Sequence, residues 1–365
     1  MSNSSEPNDS SKRWSSRHLK IVGAAGVVLG IVVGATGGGA AVMKFTQKQE
    51  LPLQLALGAI RGALPRPPAH EWRLVKGKHW QIISSTSAEP TATTDSLEGN
   101  RGICPAGMIE VKGNMKVDPS ATAAYDGKSV EEMQKTTCTK WINKDYPERC
   151  AVFDRDKWLE VSKELPTKPM HFCMDRFEYP NERNAFPVIL VNFNEAADMC
   201  AEQGKRLCDE SEWTFACEGE EAMPYPYGYV RDPEACVIDN KWRPYNESAM
   251  SPRDSLNAMN ELDRLWQGVA SGSRPKCKSP FGVYDMTGNI DEWTRGVRSW
   301  ERPSILKGGY WGPVRTRCRP STRSHDENHT FYQQGFRCCS NTDANVVEKR
   351  FSADKAAAPL PGEAQ

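Results

Sequence analysis

All twelve cysteines of this 365-residue chain fall between Cys104 and Cys339. Twelve is an even number and no two of them form a CxxC pair, so a zinc site has little to stand on. Several disulfides formed in an oxidising compartment follow instead. Such a frame can hold loops in place where secondary structure is sparse.

The residues before the cysteines point to the same compartment. Positions 1–20 are polar and carry Lys12, Arg13, Arg17 and Lys20 against Glu6 and Asp9, and Ile21 to Met43 then runs without a charge. That run matches the roughly 20 residues a helix needs to cross a hydrocarbon core. Positive charge ahead of it predicts a cytoplasmic N-terminus (1–20), a transmembrane helix (21–43) and an extracytoplasmic remainder, in the periplasm or at the cell surface. Gly26, Gly30, Gly34 and Gly38 recur every fourth residue, a flat stripe on which two such helices could pack into a homodimer. The alternative takes Ile21–Val33 as a secretory h-region with the small residues after it as a cleavage zone; both readings export the rest of the chain. Lys+Arg and Asp+Glu are equal at 47 each, which leaves no basic field for nucleic acid.

Residues 44–100 read as a stalk punctuated by proline and then by SSTSAEPTATTDS, and 341–365 as a disordered tail rich in Ala, Pro and charge. The folded unit is placed at 101–340. Within it, Asn192 and Glu195 make a capping box for a helix ending before Gly204. Asp209 with Glu212 does the same for ESEWTFACE. FPVILVNF (186–193) and FGVYDM (281–286) read as short strands, giving a loop-rich, disulfide-rich α+β domain.

The ordered segments CPAGMIEV (104–111), FCMDRFEYPN (172–181), VNFNEAADMCAEQGKRLCDESEWTFACEGE (191–220), YPYGY (225–229), SPFGVYDMTGNIDEWT (279–294), LKGGYWG (306–312) and GFRCC (335–339) resemble the formylglycine-generating enzyme, or sulfatase-modifying factor, family. The resemblance implies a low-secondary-structure fold around a C-type-lectin-like core. It also implies the disulfides Cys200–Cys338 and Cys217–Cys318. Order along the chain suggests Cys104–Cys173, Cys138–Cys150, Cys208–Cys339 and Cys236–Cys277 for the rest. Catalytic members of the family oxidise a cysteine of exported sulfatases with O₂ and a Cu(I) ion. Two thiolates in a Cys-x4-Cys loop, between a Gly-Gly-Ser and an Arg-Cys element, hold that ion. Here Gly308-Gly309 and Arg317-Cys318 frame the same place, but Tyr310 replaces the serine and YWGPVRT contains no cysteine. Copper is therefore not expected, and no catalytic residue is assigned.

The family also binds calcium. Carried over to TGNIDEW, its oxygen donors would be Thr287, Gly288, Ile290 and Glu292, against the plainer reading of a turn with a solvated Glu292. Tyr227, Trp293, Tyr310 and Trp311 with Arg315 either form a surface for a peptide, glycan or envelope-protein partner or fill a loop-rich core. His325 and His329 have an H-x3-H spacing but lack a helical apolar stripe and read as surface. The function expected is a membrane-anchored, non-catalytic binding or scaffold module of the cell envelope. The alternative is an oxidase or another metal-dependent oxygenase with a different ligand set.

Overall fold

A computed structural model describes residues 68–85, 103–119, 128–143, 149–296 and 302–342. The expected transmembrane helix with Gly26, Gly30, Gly34 and Gly38, the N-terminus, most of the stalk and nearly all of the tail lie outside these residues. Among the described residues no helix is long and apolar enough to cross a membrane.

The first described element corrects the stalk reading. His70–Val75 (β1) and His79–Ser85 (β2) form an antiparallel hairpin with Trp80 and Ile82 buried in a core cluster. The hairpin is fastened through donors that alternation alone does not reveal. Trp72 Nε1 donates to Asp263 Oδ1 at 3.0 Å, and Trp80 Nε1 to the Arg253 carbonyl at 2.7 Å. The folded unit therefore includes residues well before 101.

Two four-stranded sheets carry most of the remaining regular structure. One runs in the order Met108–Lys116 (β3), Thr167–Asp175 (β6), Cys338–Ser340 (β12), Arg206–Leu207 (β7). The other runs Ser321–Thr322 (β10), Ser304–Lys307 (β9), Asp291–Arg295 (β8), Gln334–Phe336 (β11), with only β8 and β11 parallel. Cys138–Trp141 (β4) and Cys150–Phe153 (β5) add a small hairpin. The helices are Val130–Lys135 (α1), Arg155–Val161 (α2), Phe193–Ala201 (α3), Glu210–Glu218 (α4) and Leu256–Leu265 (α5). Both capping boxes form, with Asn192 opening α3, and Glu212 Oε2 accepting from the Asp209 N–H at 2.8 Å opens α4.

The two segments read as strands are not ladder strands. Val188, Ile189 and Val191 send their N–H groups to Tyr179, Trp80 and Gln334 in turn, and 281–286 makes one isolated bridge, Tyr284 with Lys278. Both are apolar because they are buried on all sides, not because they alternate between core and solvent.

The sheets and helices are tied by six disulfides, Cys104–Cys173, Cys138–Cys150, Cys200–Cys338, Cys208–Cys339, Cys217–Cys318 and Cys236–Cys277. Cys200 anchors α3 to β12 and Cys217 anchors α4 to the segment after β9. The second bridge fixes the C-terminal end of the loop described next, and strand β9 fixes its start.

Candidate functional site

The loop from Lys307 to Cys318 is built inward first. Lys307, at the end of β9, is fully buried with its ammonium 5.5 Å from the Trp213 ring and donating to the Arg319 carbonyl at 2.6 Å. Burial pushes its pKa down to about 8. Gly308 and Gly309 follow with φ of +86° and +71°; a Cβ on Gly308 would stand 2.9 Å from the Met286 carbonyl, so the turn requires glycine there. The chain then docks by backbone bonds. Trp311 N–H donates to Asn289 O at 3.2 Å, while Trp311 O accepts from Asn240 N–H at 2.8 Å and Gly312 O from Asp239 N–H at 3.3 Å.

The arginines of VRTRCR share one parity, and the irregular backbone rather than alternation separates them. Arg317 points into the core, giving Nη1 to Gln134 Oε1 at 2.9 Å, and Arg319 grips Glu218 with two bonds of 2.8 and 2.6 Å. Arg315 faces the other way. Its Nη2 donates to Asp291 Oδ1 at 2.8 Å and to the Leu306 carbonyl at 3.0 Å.

Beside Arg315 lies a pocket of about 370 Å³ lined by Arg149, Asp291, Tyr310, Pro313, Val314, Arg315 and Thr322. Of the expected binding surface, Tyr310 and Arg315 belong to this pocket and the other three do not. Trp311 is 1 % exposed and packs edge-on against Trp266, with centroids 4.8 Å apart. Trp293 is equally buried, its Nε1 donating to the Val191 carbonyl at 2.7 Å. Tyr227 stacks on Tyr225 and accepts the Asp232 N–H at 3.2 Å. Each is large enough to fill a core with little regular structure, and the core claims them. Arg149 was not foreseen: no local pattern marks a residue that reaches the pocket from the start of β5, and only the fold brings it there.

The one side-chain donor proposed for calcium is already taken. Glu292 is 1 % exposed and not solvated. Its Oε1 and Oε2 each accept from Arg337 at 2.7 Å, and Oε2 also accepts Trp213 Nε1 at 2.8 Å. The positive partner a carboxylate needs in the interior is already supplied by a guanidinium with two parallel bonds. Nearby, the Gly288 N–H donates to the Gly308 carbonyl at 3.2 Å and Thr287 Oγ1 lies against the Cys236 sulfur at 3.6 Å. Ile290 packs in the core.

Other carboxylates beneath this knot are also structural. Glu178 accepts Ser271 Oγ and Asn289 Nδ2, each at 2.7 Å. Burial and the nearby Asp285 carboxylate hold its pKa well above the ordinary range. Asp285 accepts the Gly272 N–H at 2.6 Å, and burial pushes its pKa up to about 7. Asp175 accepts Lys205 Nζ at 2.7 Å. His325 and His329 stack face to face with centroids 3.9 Å apart, a geometry that does not aim two ring nitrogens at one ion. No group of three or more His, Cys, Asp or Glu among the described residues could hold a metal. Copper fails the same test on donor chemistry, since all twelve cysteines are consumed in disulfides and none lies between Gly309 and Arg317.

The family model described as a sulfatase-modifying factor enzyme 1-like domain matches residues 127–342. The chain belongs to this family. Among curated relatives, the inactive C-alpha-formylglycine-generating enzyme 2 of Bos taurus is 29 % identical over 168 residues, covering 44 % of this chain and 52 % of its own length. The formylglycine-generating enzyme of Mycobacterium tuberculosis is 29 % identical over 117 residues, or 31 % of this chain and 34 % of that protein. The chain thus spans about half the length of the first curated relatives it matches, 52 % and 51 %. Among solved structures, that of PvdO from Pseudomonas aeruginosa covers 70 % of this chain and all of its own, at 15 % identity and a TM-score of 0.39.

Proposed function

We propose that this chain is an extracytoplasmic, membrane-anchored sulfatase-modifying-factor-like protein that binds a partner without catalysing formylglycine formation. One observation carries the reading: between Gly309 and Arg317, where catalytic relatives hold Cu(I), the chain has no thiol, and every cysteine elsewhere is oxidised. Without thiolates there is no soft donor pair for Cu(I) and no site at which O₂ would be reduced by the family's route. A relative whose name calls it inactive supports the same direction. The uncharged run 21–43 behind basic residues, and a disulfide frame that persists in oxidising compartments, support the anchor and the location.

What the arrangement retains is a rigid loop whose free face is a pocket. Tyr310, Pro313, Val314 and Thr322 give it mixed apolar and hydroxyl walls, and Arg315 and Arg149 give it cationic donors. The test is direct. Full-length protein in detergent is incubated with Cu(I), O₂ and a Cys-x-Pro-x-Arg peptide, and the peptide is weighed by mass spectrometry. An unchanged cysteine is expected; conversion to formylglycine above a protein-free copper control would overturn the non-catalytic reading in favour of an oxidase with a different ligand set.

A further inference from the structure

The pocket beside Arg315 contains more cationic donors than the protein itself uses. Arg149 and Arg315 line it, and Arg231 stands behind the loop with Nη2 3.3 Å from the Val314 carbonyl. Their carboxylate partners number two. Asp239 accepts Arg231 Nε and Nη2 at 2.7 and 2.8 Å and also Arg149 Nη2 at 3.2 Å, whereas Asp291 accepts Arg315. Among the described residues, three guanidinium groups therefore face two carboxylates. The surplus also shows in individual atoms: among the described residues, Arg149 Nε and Arg315 Nε are buried and have no hydrogen-bond partner. Buried N–H groups on cations are rarely left without acceptors.

Resting on the reading of this loop as a binding surface, we propose that the pocket recognises a carboxylate, with Arg149 and Arg315 as the residues that hold it. Guanidinium forks match the planar, two-oxygen shape of a carboxylate, and a surplus of one positive charge matches a singly charged anion. A dianion would meet Asp291 and Asp239 with its second charge uncompensated. Pro313, Val314 and the Tyr310 ring supply apolar wall for the methylenes that carry an acidic side chain, and Tyr310 and Thr322 each bring a hydroxyl. A pocket of about 370 Å³ is at the small end of ligand sites, enough for an acidic side chain with adjacent backbone.

The test uses an array of N-acetylated, C-amidated hexapeptides carrying a single Asp or Glu, each beside its Asn or Gln isostere, probed with full-length protein in detergent. Free succinate, added as a competitor, separates recognition of a peptide-borne carboxylate from recognition of any small one. The proposal expects acidic peptides to bind about tenfold or more above their amides, the worth of one charge-assisted pair. It also expects that preference to vanish in Arg149→Gln and Arg315→Gln proteins that still give a cooperative thermal melt. Because Arg315→Gln strips Asp291 of its partner, Arg149→Lys serves as a second variant that keeps charge but loses the fork, with an intermediate loss expected. In the wild type, binding should weaken as salt rises from about 0.05 to about 0.5 M. Equal binding of amide peptides, binding indifferent to both arginines and salt, or no signal from any acidic probe would overturn it. Amide-equal binding would leave the binding-module reading standing, whereas cysteine turnover would remove that reading and leave the carboxylate preference intact.

Discussion

Arg337 and Arg315 sit in the same sheet region, each opposite a carboxylate of strand β8, and their surroundings make them opposites. Arg337 and Glu292 are both essentially unexposed, and every oxygen of the pair is met: two parallel bonds between them, Trp213 on Glu292, and the Tyr284 carbonyl on Arg337 at 2.9 Å. Arg315 and Asp291 lie at a pocket wall, with Arg315 Nε unpartnered and two further arginines close by. The contrast teaches that a buried charge pair holds a fold together when its donors and acceptors balance, and marks a binding surface when they do not.

The largest break in that comparison comes from Arg337→Gln. It leaves Glu292 buried without its cation and should destabilise the protein by about 3–5 kcal/mol in denaturant titrations. Added calcium should not restore the loss; recovery would mean that the oxygen donors around Glu292 accept an ion once the guanidinium is gone.

The acidic layer under the knot gives the next effect. Asp285 is raised from 3.8 to about 7 in the folded state, so the native form holds its proton over a pH range in which the unfolded chain has released it. Stability from this group is complete at low pH and is lost as pH rises from about 4 through 7. Asp285→Asn should therefore raise stability at pH 8 by up to about 4 kcal/mol and leave it nearly unchanged at pH 4, read as the difference between wild-type and variant melts. A constant difference across that range would show that the carboxyl is not held neutral.

The hairpin extends the buried side of the comparison. Trp80→Ala should cost about 3 kcal/mol if β1–β2 is part of the core, where a stalk residue would cost no more than about 0.5 kcal/mol. The smallest effect belongs to the pocket. Arg315→Gln should lower stability by about 2 kcal/mol, less than Arg337→Gln because Asp291 keeps access to water at the pocket wall once its cation is gone. A loss comparable to that of Arg337→Gln would erase the distinction between the two regions.

What the sequence shows of this molecule divides along the range of its interactions. Helices α3 and α4 are legible because their caps lie three residues apart, in Asn192 with Glu195 and Asp209 with Glu212. Helix α5 has comparable signals, a Ser255 cap and buried Ala258, Leu262 and Leu265, which the loop-rich surroundings obscure. The hairpin is not legible, because Trp72 and Trp80 look like linker residues until Asp263 and Arg253, more than 170 residues later, supply their partners. Glu292 misleads for the same reason: the family resemblance implies a calcium donor there, while the guanidinium that takes its carboxylate comes from Arg337. The loop itself is legible as thiol-free from the sequence alone, but its pocket is not, since Arg149 reaches it only through the fold.

The central claim is that the loop between Gly309 and Arg317 has no soft-donor site. It is tested most directly by offering the purified, unreduced full-length protein Cu(I) in competition with a chromogenic Cu(I) chelator and following the chelator's absorbance. The account predicts that the chelator keeps its copper at every protein concentration. Withdrawal of one equivalent of Cu(I) by the protein would contradict it.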